Sequence, residues 1–139
     1  MMKNPYPFSQ FIGVDVSKAK LDIAFFDGQS LSIDNREEAI VSELIEQIKN
    51  RKGTIVVAEA TGGYEDRLVT LLHQHQIAVA VVNPRRVRQF ADGIGSDAKT
   101  DPIDARVIAF YGQVVKPAPQ AAQSEEEKKL KALVERRRQ

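Results

Sequence analysis

The stretch FIGVDVSKAKLDIAFFDG, residues 11–28, constrains the fold more than any other. It reads as a strand running to Asp15, a short turn over residues 17–20 and a return strand over 21–26. Ile12, Val14 and Val16 share one parity of the first strand, and Phe11 takes the other. In the return strand Leu21, Ile23 and Phe25 alternate with Asp22, Ala24 and Phe26. Apolar groups on both parities suit a hairpin in the middle of a sheet covered by helices on each side. Asp15 then stands near the carboxyl end of a central strand. A charge there needs partners, and α/β proteins usually place their chemistry at that edge.

A chain of 139 residues, 42% apolar, builds one ordinary core with room for an appendage. It has no cysteine, which excludes disulfides and thiolate metal sites and fits a reducing, cytoplasmic setting. No apolar run approaches the roughly 18 residues that cross a bilayer, so no membrane partner is expected. The first residues, MMKNPYPFSQ, carry one lysine and no long apolar segment, unlike a signal peptide. Residues 1–9 read as a disordered leader. The net charge of +1 neither demands nor excludes nucleic acid, so the distribution of charge matters more than its sum.

Downstream, Ser30 to Ile33 predicts a third strand. Asn35 and Glu38 have capping-box spacing for a helix over 36–50, with Ile40, Leu44, Ile45 and Ile48 as its apolar stripe. A strand over 55–59 ends in Glu59, and Thr61-Gly62-Gly63 turns the chain into a helix over 64–75. Residues 77–82 are nearly all apolar, as in a buried parallel strand. Asn83-Pro84 pairs an N-cap with a proline at the first helical position. The short helix that follows carries Arg85, Arg86 and Arg88. Residues 91–99 read as a loop and 102–115 as a helix, with Ile103, Val107, Phe110 and Val114 on one face. The expected organisation is a domain over 10–116 and a linker over 117–123. A charged helix or coiled coil starts over 124–139 and breaks off in mid-pattern, as in a truncated longer protein. The order β-β-β-α-β-α-β-α-α predicts an α/β fold, a mixed five-stranded sheet with helices on both faces. An RNase H-like strand order, 3-2-1-4-5, fits it.

In that order the strands ending at Asp15 and Glu59 are parallel neighbours, and both carboxylates enter one crevice. Asp101 and Asp104 are three apart at a helix start and project from one side of its first turn. Like charges held so close repel unless a cation lies between them. Four oxygen donors without cysteine favour Mg²⁺ or Mn²⁺ over zinc, and two such ions can hold a scissile phosphate. Plainer roles compete: Asp101 as a helix cap with Pro102 behind it, Glu59 as a salt-bridged strand end, Asp15 as a turn cap. Asp22 and Asp27 read as surface and turn residues, and Asp97 is the one further candidate ligand. Lys18 and Lys99, each near a proposed ligand, could meet phosphate oxygens. Arg85, Arg86 and Arg88 are the stronger basic signal, because clustered positive charge favours a nucleic-acid backbone. His73 and His75, two apart on a helix, do not face one another, and Tyr64 reads first as packing over the site and second as touching DNA.

Three segments carry a resemblance: Gly13-Val14-Asp15-Val16-Ser17-Lys18, Glu59-Ala60-Thr61-Gly62-Gly63-Tyr64 and Ala98-Lys99-Thr100-Asp101-Pro102-Ile103-Asp104-Ala105. In this order and spacing the chain resembles the N-terminal RuvC-like domain of the IS110/Piv family of transposases and site-specific DNA invertases. The resemblance implies a metal-binding tetrad of Asp15, Glu59, Asp101 and Asp104 acting in DNA cleavage and strand exchange. It also implies a coiled coil followed by a C-terminal domain with a catalytic serine, a structured guide RNA, and assembly as dimers or tetramers. Ser17, in the hairpin turn, is not that serine. A self-sufficient RuvC-like endonuclease or junction resolvase would use the same tetrad. A nucleotide-binding actin-like fragment would need a second phosphate loop, and a binding and assembly module would depend less on the carboxylates.

Overall fold

The computed structural model describes residues 5–25, 27–94, 103–122, 129–130 and 132–134. β1 (Gln10–Val16) and β2 (Lys20–Ala24) form the antiparallel hairpin, and β3 (Ser30–Asp34) extends it. β4 (Thr54–Glu59) lies parallel to β1, and β5 (Ala78–Val82) lies parallel to β4. The sheet order is β3-β2-β1-β4-β5, the expected RNase H-like succession.

The two-sided apolar pattern of β1 has a direct cause, because each face of the sheet is covered. Ile12, Val14 and Val16 join Leu21, Ile23, Val56 and Ala58 beneath one helical layer. That layer is α3 (Asp66–Gln74) and a helical segment opening at α1 (Glu37–Ala39), widening to a π-helix at Ile40–Ile45 and closing at α2 (Glu46–Ile48). Ile40, Leu44, Ile45 and Ile48 are buried, as their spacing predicts. The opposite face sets Phe11, Ile55, Val57, Ala80 and Val82 against α4 (Pro84–Gly93) and α5 (Ala105–Val115).

Several expectations give way. Asn35 does not cap the first helix, whose N-cap is Arg36 with no side-chain bond. Its own side chain is buried instead and donates to two loop carbonyls. The last helix starts at Ala105, not at 102, and its N-cap is Asp104 rather than Asp101. Its buried face is Ala105, Ile108, Tyr111 and Gly112, while Phe110 and Val114 are exposed. The reason is close backbone approach. A Cβ on Gly13 would stand 2.0 Å from the Ala105 carbonyl oxygen and 2.6 Å from the Ala109 nitrogen. A glycine in β1 therefore selects the small-residue side of α5. Phe110 leans edge-on against Phe90 of α4, ring centres 5.5 Å apart.

Tyr6 and Phe8, read from sequence as leader, pack against the second core cluster. Tyr6 stacks on Phe11 and its hydroxyl donates to the Pro117 carbonyl at 2.9 Å. The Gln120 N–H donates to the Val79 carbonyl, so part of the predicted linker lies against β5. Phe26 and residues 123–128 and 135–139 lie outside the described residues, as does most of the predicted terminal helix. Leu130, Leu133 and Val134, helical where described, are exposed. Among the described residues no helix is long and apolar enough to cross a membrane.

Candidate functional site

Strand parity decides where the acids point. Phe11, Gly13 and Asp15 share one face of β1, and Ile55, Val57 and Glu59 share the same face of β4, under α4 and α5. Val14 pairs with Ala58, so the register carried one residue on sets Asp15 level with Glu59. Both stand at the carboxyl ends of adjacent parallel strands.

Asp104 reaches the same neighbourhood from above. As N-cap of α5 it accepts the Val107 N–H at 3.0 Å, satisfying one orphan donor of the first turn. Its other oxygen makes a long, exposed contact of 3.4 Å to Arg106. α5 is seated on β1 at Gly13, two residues before Asp15, and this seat brings Asp104 over the strand end.

Electrostatics report the convergence. Burial raises the Asp15 pKa, and the charges of Asp22 and Asp104 raise it further. Burial raises that of Glu59, Asp15 adds to the rise, and Arg88 on α4 opposes it. Each acid therefore feels a neighbour that repels its charged form. Asp22 went unnoticed as a neighbour in the sequence, where it reads as a surface strand residue. It is the cross-strand partner of Asp15 and lines one open depression with Asp104. The available signal was the tight hairpin, which places residues 15 and 22 opposite each other.

Among the described residues, no group of three or more acidic or histidine side chains is drawn together tightly enough to hold an ion. The donor set nevertheless fits a hard cation: carboxylate oxygens only, partly buried and mutually repelling. Asp101, Lys99 and Asp97 lie outside the described residues.

The loops beyond the two strands are tied down. Glu65 was missed by sequence reasoning. One of its carboxylate oxygens accepts the Thr61 hydroxyl at 2.6 Å, the Thr61 N–H at 3.0 Å and the Gly63 N–H at 3.2 Å. Burial pushes its pKa up, but these hydrogen bonds outweigh burial and leave it lowered. Gly62 and Gly63 adopt φ of +82° and +128°, and this backbone lets the loop curl around the carboxylate. Tyr64, expected to pack, is 49% exposed. Lys18 is exposed in the hairpin turn, where Ser17 Oγ donates to the Lys20 carbonyl, a turn contact. Arg85, Arg86 and Arg88 sit on α4, whose N-cap Asn83 accepts the Arg85 N–H at 2.8 Å. Arg85 and Arg86 are exposed, and Arg88 lies within electrostatic reach of Glu59. His73 meets the Gln120 carbonyl and His75 the Leu71 carbonyl, on separate partners.

Comparison with known proteins bears on family and fold. The chain is similar to the pilin gene-inverting proteins of Moraxella lacunata and Moraxella bovis, 31% identical to each over 134 residues. Those matches cover 91% of this chain and 41% of each relative, so the chain spans less than half their length. Its fold is similar to that of RuvC from T. thermophilus, solved in complex with a Holliday junction substrate. The TM-score is 0.51 at 13% identity, over 81% of this chain and 99% of that one. A profile of IS110-type DEDD transposases, described as "Transposase", matches residues 12–139. The chain thus belongs to the IS110-type DEDD transposase family.

Proposed function

We propose that this chain is the metal-binding part of a DNA recombinase that cuts and exchanges strands for a mobile element. The observation that carries the reading is the convergence of Asp15, Glu59 and Asp104 at one sheet edge, each raising or feeling a neighbour's charge. Asp15, Glu59 and Asp104, with Asp101, would hold Mg²⁺ or Mn²⁺. Such an ion supplies charge neutralisation at a scissile phosphate and lowers the pKa of an attacking oxygen.

The chain's own residues do the rest. The β1–β4 pairing fixes Asp15 beside Glu59, and the helix cap fixes the rotamer of Asp104, so these acids are held at one sheet edge before substrate arrives. Lys18, Lys99, Arg85 and Arg86 contact backbone phosphates flanking the cut, and Arg88 tempers the charge of Glu59. The relatives' greater length leaves room for the serine-bearing domain that the family resemblance implies. A structured guide RNA, a dimer or tetramer, and action in the cytoplasm complete the proposal.

One observation favours a second reading, a self-sufficient junction endonuclease: the fold match takes in 99% of the RuvC chain. An assay of strand cleavage and exchange with Mg²⁺ on linear and four-way-junction DNA separates the two. The expected result is no exchange by the 139 residues alone. In a longer protein carrying this chain, exchange is metal-dependent and is lost in Asp15→Asn. Exchange that survives Asp15→Asn overturns the acidic-site reading, and junction cleavage by the chain alone selects the endonuclease.

A further inference from the structure

The two loops that leave the acidic edge are joined by one buried side chain. Asn35, 4% exposed, donates through Nδ2 to the Ser17 carbonyl at 2.9 Å and to the Tyr64 carbonyl at 3.2 Å. Its backbone N–H donates to the Ala19 carbonyl at 2.9 Å, and Arg67 donates to its carbonyl. The turn after Asp15 and the loop after Glu59 are therefore two hydrogen bonds apart, and both are braced. Glu65 braces the second loop from within. What the braced backbone displays is an exposed cation, Lys18, and an exposed aromatic ring, Tyr64.

We infer that these two loops form a ledge that grips an unpaired DNA segment beside the cut, with Tyr64 stacking on a base and Lys18 meeting a phosphate. The inference rests on the nucleic-acid reading above and adds Tyr64, the linked loops and the unpaired strand they take. A solvent-exposed ring and a cation on two linked loops are the combination that single-stranded binding surfaces use, because every base offers a face to stack. Bracing matters energetically, since a loop backbone already held in place loses little freedom when a base arrives on the ring it carries. The hydrogen bond that holds Tyr64 uses its backbone oxygen, so truncating the ring leaves the brace intact.

The test is fluorescence anisotropy of the full chain with a labelled single-stranded DNA, in EDTA, across a salt titration. Tyr64→Ala is expected to weaken binding by about 5- to 150-fold with an unchanged salt slope, and Tyr64→Phe to bind like wild type. Lys18→Ala is expected to lower the salt slope by roughly 0.7. Fully paired duplex is expected to show no difference between wild type and Tyr64→Ala. Wild-type affinity for single strands in Tyr64→Ala, or an equal loss on duplex, overturns the ledge. Mn²⁺ titration of the same proteins reports the acidic site separately, so the ledge can fail while that reading stands. Absence of any DNA binding by wild type at low salt overturns both the ledge and the nucleic-acid reading.

Discussion

Asp15 is the residue on which the others converge, and its environment makes a signed prediction. The folded chain holds protons on Asp15 and Glu59 more tightly than the unfolded chain does. Without metal, stability should therefore fall as pH rises from the ordinary carboxylate value, about 4, through the raised ones. Asp15→Asn removes one repelling charge, so it should unfold at a higher temperature than wild type near pH 7. That gain should vanish below about pH 4. Thermal unfolding against pH checks it, and a mutant less stable at neutral pH contradicts it. Asn35 makes a second prediction. Asn35→Ala leaves two loop carbonyls without their donor and should cost about 1–3 kcal/mol in urea unfolding. The sequence made Asp15 and Glu59 legible because a charge ending an apolar strand is conspicuous. Asn35 and Glu65 were not legible, because their partners come from turns distant along the chain or curled back on themselves.

At the scale of elements, the seat of α5 on β1 decides whether Asp104 meets Asp15. Strand and helix order could be read from periodicity and turn residues, and the sheet order followed from connection rules. The rotation of α5 could not, because its two apolar stripes, 103/107/110/114 and 105/108/111/112, compete on composition. Contact distance chooses between them: only the stripe with Ala105 and Gly112 lets the backbone come down onto Gly13. Gly13→Ala is thus an element-scale test. Its Cβ meets backbone atoms that cannot rotate away, so it should destabilise the chain by about 1–3 kcal/mol. It should also weaken Mn²⁺ binding by lifting Asp104. Unchanged stability in denaturant unfolding would mean that α5 is not seated as described.

At the scale of the molecule, opposite charges sit side by side: an acidic strand edge, with Arg85, Arg86 and Arg88 on the adjoining helix. The nearly neutral net charge conceals this arrangement, so composition alone said little about partners. Reversing Arg85, Arg86 and Arg88 to glutamate should weaken nucleic-acid binding and flatten its salt dependence. An unchanged salt titration would leave the cluster as a solvated face. On the proposed reading, Asp15, Glu59, Asp101 and Asp104 form one cation site. Calorimetric titration of Mn²⁺ into wild type, Asp15→Asn, Glu59→Gln, Asp101→Asn and Asp104→Asn tests it most directly. Weak binding by wild type and a loss of about tenfold or more in every variant is the predicted result. Mn²⁺ affinity indifferent to all four changes would contradict it, reducing Asp104 to a helix cap and Asp15 and Glu59 to strand ends.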